Sequence, residues 1–304
     1  MAEHDIIVVG AGPAGLTAGV YGVRGGARVL LLEAGLPGGR VNYTHQVENY
    51  PGFQEAIGGM ELAEAMRAQA ERIGVEFESE EVTTLEVSDG LPVVGTKKGA
   101  RDAKAVVIAS GARARALGVP GERRLLGRGV SMCAVCDGSF FRGMSVAVVG
   151  GGDSACKEAL HLARICDSVH IVHRRDALRA AKVLQERVFS EPKITVHWSR
   201  VVKAFEGEER LERLLLASTK GEEDVTLEVA GAFLYVGNLP NAEFVKAPLE
   251  RDDGGYIVTD ERMRTTVERI YAAGDVRAKF LRQVVTAAAD GAIAASDALE
   301  RWME

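Results

Sequence analysis

The chain has 304 residues, 47% of them apolar and 26% charged, which is enough for about two domains with cores of their own. Its net charge of −6 favours neither a nucleic acid nor an anionic membrane surface as partner. The longest apolar runs, such as 6–9 and 105–109, are strand-length rather than membrane-spanning, and no basic or apolar leader precedes the first strand, so a cytoplasmic protein is expected.

The first predicted strand, Asp5-Ile-Ile-Val-Val, runs into Gly10-Ala-Gly12-Pro13-Ala14-Gly15 and then a helix. In such a turn the glycines allow a tight bend, close approach of backbone to a pyrophosphate, and close packing of helix on strand. Pro13 suits the first helical turn, and the helix N-terminus faces a phosphate. The next strand, 27–32, ends in Glu33, where a carboxylate hydrogen-bonds a free ribose 2′-hydroxyl. Another strand, 103–109, closes on Ala109-Ser110-Gly111, and Gly118-Val-Pro-Gly121 breaks the pattern.

Cys133-Ala-Val-Cys136 comes next. This spacing lets two sulfurs cycle between dithiol and disulfide, and in a reducing compartment it points to redox chemistry or metal rather than stapling. Zinc needs two further ligands, and no second Cys-x-x-Cys or His pair at metal spacing is present. Asp137 directly follows; it either delivers a proton to a leaving thiolate or caps the next helix, and position alone leaves both open.

The strand–turn–helix then recurs as Ser145-Val-Ala-Val-Val-Gly150-Gly-Gly152-Asp153-Ser154-Ala155, with alanine for the third glycine. Cys156 and Cys166, placed on the helix after it, read as small core residues. The strand 168–172 ends in His173, at the same offset from Ala155 as Glu33 from Gly15, and Arg174, Arg175 and Arg179 follow. Arginines there accommodate a 2′-phosphate. The first half is therefore expected to bind a nucleotide with a bare ribose, such as FAD, and the second NADPH. The plain alternative is a solvated basic face. One fingerprint is a weak signal; two, each between a strand and a helix, are strong.

A strand near Leu234 closes on Gly237-Asn-Leu-Pro240-Asn241, a short buried strand ends in Gly274-Asp275, and an alanine-rich helix is predicted over 281–299. These pieces return the chain to the first domain. The expected fold is α/β: two Rossmann-like dinucleotide-binding domains, with the NADPH domain (114–244, carrying the cysteine pair) inserted into a discontinuous FAD domain (1–113 and 245–304).

Cys133-Ala-Val-Cys136-Asp137-Gly138-Ser-Phe140-Phe141, the glycine turn after it and His173-Arg-Arg-x-x-x-Arg179 together resemble the bacterial low-molecular-weight thioredoxin reductases. The likeness covers nearly the whole chain, through Val47-Glu-Asn49-Tyr-Pro51-Gly52, Gly127-Arg128-Gly129-Val130-Ser131, Gly237-x-x-Pro240-Asn241, and Ala273-Gly274-Asp275-Val276 with Leu281-Arg282-Gln283-Val284. Few of these motifs are specific alone, but in this order they are. The resemblance implies electron flow from NADPH through FAD and the Cys133–Cys136 pair to the disulfide of thioredoxin. It implies that Cys136 lies nearest the flavin, that Cys133 attacks the partner, and that Asp137 is the acid/base.

For FAD, the resemblance places Asp275 on the ribityl chain and Arg282, Gln283 and Asn49 near the flavin. Ala34, Gly39, Arg40, Val41, Ala109, Ser110, Gly111, Gly274 and Val284 complete that site. Gly150, Gly152, Asp153, Ser154 and Ala155, with His173 and the three arginines, form the NADPH site; Arg128 and Phe140 meet thioredoxin. A homodimer is implied, with the NADPH domain rotating so that nicotinamide and dithiol take turns at one flavin. Arg40 stands where the family commonly has glutamine, as a cation near the flavin or, the preferred reading, pointing to solvent; Lys157 replaces a frequent acidic residue. The competing readings are a flavoprotein reductase of another protein disulfide, of the glutaredoxin or peroxiredoxin systems, a ferredoxin–NADP reductase, and a nucleotide-sensing regulator. The intact cysteine pair argues against the last two.

Overall fold

A computed structural model describes residues 4–44, 47, 49–132 and 134–303, excepting the side chains of Val135 and Cys136. The chain divides into two compact units, residues 1–113 with 239–304, and residues 114–238.

The first unit begins β1 (His4–Val9), α1 (Pro13–Arg24), β2 (Val29–Glu33), α2 (Gly59–Arg72), β3 (Glu76–Ser79), β4 (Val82–Ser88), β5 (Leu91–Thr96) and β6 (Gly99–Ile108). The crossing strand β7 (Ala112–Ala114) leads into the second unit: α3 (Glu122–Leu125), β8 (Val130–Ser131), α4 (Ala134–Asp137), β9 (Ser145–Gly150), α5 (Asp153–Ala163), β10 (Ser168–Val172), α6 (Lys182–Ser190), β11 (Ile194–His197), β12 (Arg200–Glu206), β13 (Arg213–Ser218), β14 (Val225–Glu228) and β15 (Gly231–Tyr235). The chain returns through β16 (Asn238–Pro240), which pairs with β7, to β17 (Ile270–Ala272) and α7 (Val284–Trp302). Because that return is itself a strand, it falls ahead of residue 245, where turn residues alone would put it.

Both units repeat one plan. Parallel strands run β3-β2-β1-β6-β17 in the first and β11-β10-β9-β15-β8 in the second. Each unit adds an antiparallel three-strand meander, which in the first shares β6 with the parallel sheet and in the second precedes β15. The amino-terminal half of β6 closes β4-β5, while its carboxy-terminal half lies between β1 and β17; β12-β13-β14 is separate.

The apolar runs of β1 and β9 are buried on both faces, which is why they read as continuous rather than alternating. Ile6 and Val8 face the core shared with α1 and α7, whereas Ile7 and Val9 face the core under the meander and Val245. In the second unit Val146 and Val148 pack towards α5, and Ala147 and Val149 pack against Phe205 and Leu214 of the meander. Cys156 and Cys166 are fully buried with free thiols, but Cys166 lies beyond the end of α5 rather than on it. Burial pushes each thiol up to about 11. No helix among the described residues is long and apolar enough to cross a membrane.

Candidate functional site

Each unit builds a cradle where a parallel strand turns into the following helix, β1 into α1 and β9 into α5. Gly10 has φ +104°, and a Cβ there would meet the carbonyl oxygen of Ala109 at 2.6 Å. Gly150 stands in the same relation to Tyr235, at 2.5 Å. Only glycine lets the turn sit this close to the neighbouring strand end. Gly12 and Gly152 occupy the N-cap positions of α1 and α5, and no side chain caps either helix. No heavy atom lies within 4 Å of where a Cβ on either residue would project. Two helix N-termini thus keep unsatisfied amides beside open space, as a pyrophosphate requires.

In the first unit the Glu33 carboxylate reaches back over the turn. It accepts from the amide of Ala11 at 2.7 Å and from that of Gly35 at 2.8 Å, leaving further lone pairs for ribose hydroxyls. Ala34 is exposed beside it. The short 3-10 turn Gly39–Tyr43 returns to the same place: the amide of Gly38 donates to Ala11 at 2.7 Å, Val41 is buried, and Val284 packs on that cluster. At the far strand ends, Ser110 Oγ donates to the carbonyl of Asn241 at 2.5 Å, and Asn241 Nδ2 returns a bond to the carbonyl of Ser110 at 3.0 Å. Gly111 follows with φ +65°. Asn49 is exposed and donates to Gln283 Oε1 at 3.0 Å, joining two loops distant in sequence.

Gly274 and Asp275 open a 3-10 turn after β17. Asp275 makes no hydrogen bond among the described residues, and burial raises its pKa while Lys279, Arg40 and Arg282 oppose the rise. Arg40 is exposed, and its charge is among those that oppose the rise at Asp275. Arg282 lies over the ring of Tyr256, 4.0 Å from its centroid, and its buried Nε has no partner. A half-buried carboxylate without a side-chain partner among the described residues and an orphaned guanidinium nitrogen beside an open helix N-terminus are what a polyhydroxylated dinucleotide would satisfy. The residues fit FAD.

Three residues here escaped the sequence reading. Asp290, on α7, accepts from the Gly274 amide at 3.0 Å, from Arg277 at 3.2 Å and from Lys279 at 2.6 Å. The available signal was an acid inside Ala287-Ala-Ala-Asp290-Gly-Ala, an apolar stretch of a helix.

In the second unit Arg174, Arg175 and Arg179 are exposed, and their side chains have no carboxylate partner among the described residues. The backbone amide of Arg179 donates to the Gly151 carbonyl at 2.7 Å, which holds this loop against the glycine turn. His173 parts from its neighbours: it is 4% exposed, and its Nε2 donates to the Ala177 carbonyl at 3.0 Å. Burial lowers its pKa, keeping the ring neutral beneath the turn. Asp153 ties α5 to the start of α6 by accepting the Ala181 amide at 2.8 Å; Ser154 is exposed and Ala155 buried. Three unpaired arginines at an open, uncapped turn fit a nucleotide carrying a 2′-phosphate.

Cys133, and the side chain of Cys136, lie outside the described residues. Around them, the amide of Ala134 donates to the Tyr235 hydroxyl at 2.9 Å, and Ser131 Oγ donates to Asp137 Oδ2 at 2.6 Å. Asp137 makes no capping bond to the 3-10 turn Gly138–Phe141 that follows, so its carboxylate is not spent as a helix cap. Arg128 is exposed between Gly127 and Gly129, both at positive φ, and Phe140 is 74% exposed. Lys157 is exposed on α5.

The sequence profile described as pyridine nucleotide-disulphide oxidoreductase matches residues 4–291. A thioredoxin reductase of Treponema pallidum is 46% identical, covering 96% of this chain and 95% of its own length. One of Bacillus subtilis is also 46% identical, covering 96% and 92%. The crystal structure of Lactococcus lactis thioredoxin reductase superposes with a TM-score of 0.92 at 43% identity, covering 98% of each chain. The chain belongs to the pyridine nucleotide-disulphide oxidoreductase family, among relatives that are thioredoxin reductases.

Proposed function

We propose that this protein is a thioredoxin reductase, carrying two electrons from NADPH by way of FAD and the Cys133–Cys136 pair to the disulfide of a thioredoxin. The observation that carries this reading is the pairing of two unlike cradles in one chain, one ending in Glu33 and one ringed by free arginines, with Cys-x-x-Cys-Asp on the second. NADPH, one proton and a protein disulfide enter; NADP+ and a protein dithiol leave.

When bound, FAD supplies a carrier that takes up a hydride and releases its electron pair to a disulfide. The chain's residues do the rest. The amides at Gly12 and Gly152 bind pyrophosphates, Glu33 holds a ribose, and Arg174, Arg175 and Arg179 select the 2′-phosphate. Asp275, Gly274, Arg40, Arg282 and Gln283 hold the ribityl and flavin end, with Asn49 fixing Gln283. Asp137, held by Ser131, gives the proton that a departing thiolate needs. Cys133 is the sulfur that attacks the partner, at a surface carrying Arg128 and Phe140. Because dithiol and nicotinamide share one unit, the two take turns at the flavin by rotation about the β7–β16 crossings. A reducing, cytoplasmic setting suits such a donor. We also propose a homodimer, supported by the exposed apolar side chains of Tyr21, Val285 and Ile293 on α1 and α7.

The test is anaerobic. Purified, yellow protein is mixed with NADPH, then with oxidised thioredoxin, while the flavin spectrum is followed. Bleaching by NADPH and recovery on adding thioredoxin are expected. Bleaching without recovery would transfer the assignment to a different protein disulfide, and no bleaching would overturn NADPH as donor.

A further inference from the structure

We infer that Asp290 acts as a positioning residue for the FAD site by holding Lys279 away from Asp275, so that the Asp275 carboxylate stays free for a hydroxyl of the cofactor. This rests on the reading of the first unit as the FAD site.

Asp290 is itself buried, 6% exposed, on the face of α7 turned towards the Gly274 turn. Its Oδ2 is 2.6 Å from Lys279 Nζ and 3.0 Å from the Gly274 amide, and its Oδ1 is 3.2 Å from Arg277. The Lys279 side chain is 7% exposed, so water cannot take the place of a carboxylate partner. Arg277 is fixed from the other side, where its Nε donates to Thr259 Oγ1 at 2.7 Å.

A buried carboxylate, Asp290, and a half-buried one, Asp275, therefore compete for one buried ammonium. Asp290 holds it by a direct hydrogen bond, and the same Oδ2 takes the amide of Gly274, which places the ammonium beside the residue before Asp275, whose carboxylate makes no hydrogen bond among the described residues. If Asp290 loses its charge, Lys279 loses its carboxylate partner and is left beside the Gly274 turn, where Asp275 follows. A salt bridge there would occupy the oxygens that the proposed ribityl contact uses, and would have to be broken for FAD to bind.

The test measures release of FAD from the purified holoenzyme after dilution, read as the rise of free-flavin fluorescence, together with the midpoint of thermal unfolding. Asp290→Asn keeps the shape and an oxygen for the Gly274 amide. It is expected to weaken FAD retention by about tenfold or more, the size of one charge-assisted hydrogen bond. Adding Lys279→Met to Asp290→Asn is expected to restore retention to about threefold of wild type or better, since the competing cation is gone. Lys279→Met alone is expected to leave retention unchanged or raised, and this variant serves if Asp290→Asn does not fold. A purely structural role for Asp290 would leave the double variant as weak as the single one, and a direct role for Lys279 in binding FAD would make Lys279→Met weak; either result overturns the proposal. A wild-type chain that purifies without flavin and binds none would instead defeat the FAD reading itself.

Discussion

At the scale of single residues, neighbours in sequence divide their work by burial. His173 and Arg174 adjoin, yet the ring is locked under the glycine turn while the guanidinium is exposed. On the proposed reading the arginines carry nucleotide choice, while His173 holds the loop through Ala177. Arg174→Ala with Arg179→Ala is expected to raise the Kd for NADPH by about 100-fold, the worth of two charge-assisted hydrogen bonds, and to leave NADH within a few-fold. Titration of nicotinamide fluorescence with both nucleotides checks this; an unchanged preference would remove the arginines as selectors. Glu33 and the arginines were legible in the sequence because their offset from the glycine turn is set by one strand and one helix of standard length. Asp290, Arg277 and Lys279 were not, because what joins them is a meeting of α7 with the Gly274 turn that no periodicity encodes.

At the scale of elements, the same contrast holds. β1, β2 and β9 were legible as strands because both faces are buried and their apolar residues run on unbroken, and β10 because its apolar residues alternate before His173. The meander strands β4 and β14 expose most of their residues, so their polar composition hid them. The pairing of β10 with β11 has a consequence for pH. His170 and His197 face each other on these parallel strands, Nδ1 to Nε2 at 3.1 Å, and burial lowers the pKa of both, with His173 at the end of β10 shifted the same way. These imidazoles stay neutral in the folded chain but take up protons near pH 6.5 once unfolded. Unfolding therefore binds protons as pH falls through about 6.5, and stability drops with it until the folded sites titrate too. Denaturant midpoints at pH 7.5 and 5.5 should differ less for His170→Gln with His197→Gln than for wild type. An equal difference would clear the pair of any part in acid sensitivity.

For the whole molecule, the two units each enclose their own cores, and the inserted one is continuous in sequence. A fragment of residues 114–238 should therefore fold by itself and bind NADPH without flavin, as circular dichroism and nucleotide fluorescence would report. A fragment that remains unfolded would show that the inserted unit depends on its host. The interrupted arrangement was legible at the level of two fingerprints and a returning Gly-Asp strand, but the crossing itself was not, since β7 and β16 are short and matter only as a pair. The split of the first unit also orders the protein's birth. A ribosome finishes the inserted unit while residues 239–304 are still to be made, yet β17, the Gly274 turn and α7 all lie in that last stretch. The proposed flavin contacts on those elements can form only after the inserted unit has emerged, and a chain stopped before residue 239 is expected to keep the glycine turn, arginines and cysteines of that unit and to stay colourless.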